Sequence, residues 1–65
     1  MERVYINTIE SIKADLAAGK RTIKKIAAEC RVYEEQATCD EAKAAFARLS
    51  DCATRKEFAA VFATI

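Results

Sequence analysis

The chain has 65 residues, with 11 basic and 10 acidic side chains, no histidine, no proline, one glycine and three cysteines. A net charge of +1 excludes nucleic-acid binding by bulk charge, and the missing histidine excludes Ser-His and Cys-His catalytic pairs. A hydrophobic content of 52% with a single glycine excludes disorder and loop-rich folds.

A chain of this size forms one domain and buries only about 60% of the surface its unfolded form exposes. Such domains usually gain stability from disulfides, a metal or a second copy of themselves. Cys30, Cys39 and Cys52 are an odd set without motif spacing, and they do not complete a four-ligand zinc site. Self-association is therefore expected, as a homodimer. Three free thiols and no signal-peptide pattern suit a reducing cytoplasm. No apolar run approaches a membrane span.

In chain order, Met1 to Asn7 has two readings. Val4 and Ile6 alternate with Arg3, Tyr5 and Asn7, as in a short strand. As a helix, Tyr5, Ile9, Ile12 and Leu16 form one stripe. Asn7 followed by Glu10 has the cap-plus-acid pattern of a helix start, so a first helix is expected at about residues 8–18 or from an earlier residue. Gly19 can supply the positive φ that ends it.

Thr22 can cap the next helix, whose apolar stripe is Ile23, Ile26, Ala27, Cys30, Tyr33 and Ala37. Lys20, Arg21, Lys24 and Lys25 crowd its start, where cations oppose the helix dipole. They read either as a solvated face or as a site for an anion or acidic partner. This helix either continues to about Leu49 or breaks near Thr38–Asp40, where Thr38 and Glu41 form a possible capping box. Ala42, Ala45, Phe46 and Leu49 extend the apolar stripe. Thr54 and Glu57 form a further capping box before Phe58, Val61, Phe62 and Ile65, which share one helix face. The expected fold is all-α: a helical hairpin hinged near Gly19–Thr22, with a C-terminal helix packing back.

Little catalytic chemistry is available. The cysteines read as small core hydrophobes. Glu34-Glu35 and Asp40-Glu41 are neighbours that diverge on a helix, and one glycine cannot build a phosphate-binding loop. No enzyme activity, cofactor or metal is expected.

Three binding readings remain. Thr22 to Tyr33 resembles the first helix and turn of bacterial helix-turn-helix repressors, with Ala27 and Val32 at the small and apolar positions. Arg31 replaces the usual turn glycine, and the recognition helix, Glu34 to Lys43, would carry Glu34, Glu35, Asp40 and Glu41 toward phosphates. Residues 2–37 also resemble ribbon-helix-helix repressors; that resemblance implies a dimer whose strand residues Arg3, Tyr5 and Asn7 read bases. The third reading is a protein-binding helical module. The small size, Ala-rich helical composition and the stretch GKRTIKKIAAECRVYEE resemble the small helical proteins that bacteriophages make to disable host regulators, including anti-quorum-sensing inhibitors. This resemblance implies inhibition of a host transcriptional activator through its DNA-contacting domain, and allows a second target such as a pilus-assembly motor.

The expected function is non-enzymatic, inhibitory binding of a host regulatory protein, with a small dimeric DNA-binding regulator as the alternative. Expected partner-binding residues are Lys20, Arg21, Lys24, Lys25, Arg31, Tyr33, Glu34 and Glu35. The expected core or dimer face is Ile23, Ile26, Cys30, Phe46, Leu49, Phe58, Val61, Phe62 and Ile65.

Overall fold

The computed structural model describes residues 1–65 and is all-helical, with no strand: α1 (Arg3–Ala18), α2 (Ile23–Gln36), α3 (Asp40–Ser50) and α4 (Arg55–Phe62). No helix is long and apolar enough to cross a membrane.

Helix α1 starts at Arg3, not near residue 8, and Asn7 lies inside it rather than capping it. Glu2 is the N-cap residue, and its carbonyl accepts from the N–H groups of Tyr5 and Ile6 at 3.1 and 3.2 Å. A lone strand here would leave its ladder groups unpaired, whereas the helix satisfies them internally and buries Ile9, Ile12 and Leu16. The helix ends where Gly19 takes φ 69°. Lys20 N–H donates to Asp15 O at 3.0 Å and Gly19 N–H to Leu16 O at 3.2 Å, the bond pair of a Schellman ending.

Thr22 caps α2, its Oγ1 accepting from Lys25 N–H at 3.2 Å. The long-helix alternative is not realised: α2 stops at Gln36 and Ala37 turns extended, with its side chain in the core. The Thr38–Glu41 capping box does not form either. Cys39 takes the N-cap position of α3 without a side-chain bond, while Thr38 is engaged by Tyr5. Asp40 and Glu41 in the first turn of α3 complement its dipole. At α4 half of the expected box forms: Glu57 N–H donates to Thr54 Oγ1 at 3.2 Å, while Glu57 Oε1 accepts from the Thr54 hydroxyl at 3.1 Å rather than from the Thr54 backbone N–H.

The most extensive helix pairing is α2 with α3, which places Phe46 at the centre of the core. Tyr33 lies against it at 5.3 Å between ring centroids, and Tyr5 meets it edge-on at 6.3 Å. The turn at Gly19–Thr22 joins α1 to α2, but this pair is packed less extensively than α2 and α3. Helix α4 closes the fold with Phe58, which is fully buried. Arg55, in its first turn, donates to the Leu16 carbonyl at 2.5 Å, a second donor on a C-terminal carbonyl of α1 that also accepts from Gly19 N–H.

Candidate protein-binding surface

Helix α2 turns Ile26 and Cys30 fully inward, so its opposite side carries Lys24, Lys25, Ala28, Arg31, Val32 and Glu35 into solvent. Val32 is 50% exposed although apolar. Lys20, Lys24, Lys25, Arg31 and Glu35 make no ion pair within the chain. Glu34 and Tyr33 are half-buried at the far end of the helix, Tyr33 through its contact with Phe46.

Arg21 departs from the expected surface. It lies in the turn between α1 and α2, and its guanidinium pairs with Asp15 Oδ2 at 2.9 Å and with Glu29. Burial works to lower its pKa, but the Glu29 hydrogen bond and the charges of Glu29 and Asp15 outweigh this and raise it. Its Nε is buried without a partner. Arg21 therefore clamps α1 to α2 and is not a free cation for an anion or a partner. Signals for this clamp, an Arg flanked by acids at positions 15 and 29, are too distant in sequence for a helical-spacing rule to join.

Both DNA-binding motifs lack their geometry. Residues 3–18 are helical, so there is no ribbon, and Tyr5 points inward while Arg3 and Asn7 lie along an open polar hollow beside Ser11 and Asp15. Helix α2 runs unbroken through Arg31, where a helix-turn-helix would turn.

Cys30 and Cys52 are held as neutral thiols. Burial, with the Glu29 charge adding to it, pushes Cys30 up to about 11. Burial also raises Cys52, helped by Glu57 and Asp51. Cys39 is half-buried beside the α2–α3 turn.

The C-terminal apolar face divides. Phe58 is fully buried, Val61 and Phe62 are half-buried, and Ile65 is 46% exposed. Ile23 is half-buried, whereas Phe46 and Leu49 are wholly in the core.

A second surface joins Phe62 and Ile65, both in the expected core or dimer face, to α1 residues that were not among the expected sites. Between α1 and α4 runs a groove of about 250 Å³ lined by Ile6, Ile9, Glu10, Lys13, Phe62 and Ile65. Lys13 and Phe62 also border a neighbouring hollow of about 350 Å³ over Leu16, Ala17, Ala59 and Ala63. Its α1 wall is the exposed series Ile6, Glu10, Lys13 and Ala17, spaced by four, three and four residues. The spacing was visible in the sequence; that this stripe faces out while Ile9, Ile12 and Leu16 face in is a property of the packing.

Comparison of the chain with protein-family models, curated proteins and solved structures gives no match.

Proposed function

We propose that this chain is a non-enzymatic protein-binding module that inhibits a host regulatory protein, such as the DNA-binding domain of a transcriptional activator. The carrying observation is the outer face of α2. There, half-exposed Val32 sits among Lys25, Arg31 and Glu35, and these charges have no partner within the chain. An apolar centre with a charged, solvated rim is the composition of a protein interface. The acidic end, Glu34 and Glu35, suits a basic target surface such as a DNA-contacting face. The protein is proposed to act in the cytoplasm, where its three thiols stay reduced.

The test sets protein capture beside DNA binding. The tagged chain, its Glu34→Lys/Glu35→Lys form and its Lys24→Ala/Lys25→Ala form are used to capture partners from a bacterial lysate, with mass spectrometry. Labelled duplex DNA is titrated in parallel at increasing salt. The proposal expects a captured regulator that is lost with the acidic-end reversal. Sequence-specific DNA binding that weakens by orders of magnitude between about 50 and 200 mM salt would replace it with the DNA-binding alternative.

A further inference from the structure

We infer that the α1–α4 face seats a second copy of this chain, packed about a two-fold axis that crosses α1 midway between Glu10 and Lys13. This stands on a different face from the α2 surface and does not depend on it.

The stripe itself carries the inference. Ile6, Glu10, Lys13 and Ala17 are all exposed and lie along one line of α1. When two copies of α1 cross antiparallel about that midpoint, Glu10 of each stands opposite Lys13 of the other. The same operation sets each Ile6 over the other copy's Ala17. Both pairings follow from one axis, because the two pairs of residues are centred on the same point of the helix. Glu10 and Lys13 make no ion pair within their own chain, so both are free to pair across the axis. An isologous interface must be self-complementary in this way.

The apolar parts agree with the same placement. Ile6 is 46% exposed and lines one apolar groove with Ile9, Phe62 and Ile65, so it belongs to a patch and is not an isolated surface residue. Over Ala17, it meets the hollow formed by Leu16, Ala17, Ala59, Phe62 and Ala63. Small residues at 17, 59 and 63 leave the room that a large residue from the other copy fills. Phe62 lines both this hollow and the groove beside Ile6, so the second copy would cover it from both sides. An unrelated partner helix would need to supply this charge order and this bulge independently, whereas the chain already carries both.

The test is a charge exchange read by sedimentation velocity over a concentration series. Wild type, Glu10→Lys, Lys13→Glu and the double exchange Glu10→Lys/Lys13→Glu are compared, with circular dichroism checking that each stays helical. The wild type is expected to dimerise at micromolar concentration. Each single reversal places like charges opposite one another twice per dimer and should raise Kd about tenfold or more. The double exchange rebuilds both pairs with inverted sign and should return Kd to within about threefold of wild type. A wild type that remains monomeric up to about 100 μM overturns the inference and leaves the groove to a different protein. A dimer whose Kd ignores the single reversals, or is weakened further by the double exchange, overturns it as well, because the interface then lies elsewhere.

Discussion

The Tyr5 hydroxyl lies 2.9 Å from the backbone nitrogen of Thr38 and 2.8 Å from its Oγ1. It accepts the Thr38 N–H, one of the donors left free where the chain leaves α2 and starts α3. The break between these helices contains neither glycine nor proline. Two contacts hold it: the Tyr5 hydroxyl and the insertion of Ala37 into the core. The start of α1 is thus fastened to the far end of α2.

Replacing Tyr5 by Phe keeps the ring against Phe46 and removes only the hydroxyl. Urea denaturation should show a loss of about 1 kcal/mol, the usual net value of a partly solvated hydrogen bond with a donor left to water. Thr38→Val should cost less, because the backbone donor keeps its acceptor. Equal stability of Tyr5→Phe and wild type would show that Ala37 burial alone sets the break.

Arg21 fastens the other end of the α1–α2 pair through Asp15 and Glu29. Its side chain is 21% exposed and those of its partners 30% and 29%, so the charges are only partly screened. Arg21→Met should lower stability by about 2 kcal/mol, since it leaves two carboxylates facing each other without a cation. Lys24→Ala with Lys25→Ala should stay within about 0.5 kcal/mol of wild type, as exposed substitutions do. Thermal denaturation of the two variants side by side separates the clamp from the solvated cations.

Much of this fold is legible from spacing. The stripes Ile9–Ile12–Leu16, Ile26–Cys30 and Ala42–Ala45–Phe46–Leu49 are buried as their helical periods require, and Gly19, Thr22 and Thr54 end or start helices as their chemistry suggests. Tertiary choices are not legible. Thr38 has the sequence of a cap, but Tyr5, 33 residues away, competes for its hydroxyl. Arg21 belongs by position to the basic cluster at the start of α2, yet two distant carboxylates withdraw it. Lys24, Lys25 and Arg31 are placed on the surface by the α2 register itself, so that part of the candidate surface could be read directly.

Alkaline pH should destabilise the fold through Cys30. Its ordinary value of 9.0 is raised to about 11 in the folded chain. Between these values the unfolded chain has released the proton and the folded chain retains it, so stability falls as pH rises. The contribution is complete below about pH 9 and amounts to about 2–3 kcal/mol lost by pH 11. Cys52 acts in the same direction. Cys30→Ala should be less stable at neutral pH but show a shallower decline across this window. Thiol labelling of the native protein should modify Cys39 before Cys30 or Cys52; a fast-reacting Cys30 would contradict the buried, neutral thiol.

Phe58 and Phe62 stack at 6.2 Å but should respond differently to truncation. Phe58 is fully buried, so Phe58→Ala should cost about 3–5 kcal/mol and leave little folded protein in so small a domain. Phe62 borders the α1–α4 groove and is half-buried, so Phe62→Ala should cost less in monomer stability while weakening self-association. Denaturation at two protein concentrations resolves the two effects: the Phe62→Ala midpoint should depend on concentration less than that of wild type.

Val32 gives the sharpest test of the α2 surface. It faces solvent, so Val32→Asp should change stability by no more than about 0.5 kcal/mol. If Val32 anchors a partner, the same change buries a charge against that partner and should weaken binding at least tenfold, or about 1.4 kcal/mol. Glu34→Lys with Glu35→Lys should also weaken binding, and more than Lys24→Ala with Lys25→Ala, because a basic target is engaged through the acidic end. Salt should then reduce affinity only modestly, by screening rim charges, rather than by the steep slope of phosphate release. Isothermal titration of the captured partner with these variants decides the point. Unchanged affinity of Val32→Asp, together with loss on Lys24→Ala/Lys25→Ala, would move the contact to the basic end of α2 and count against a basic target.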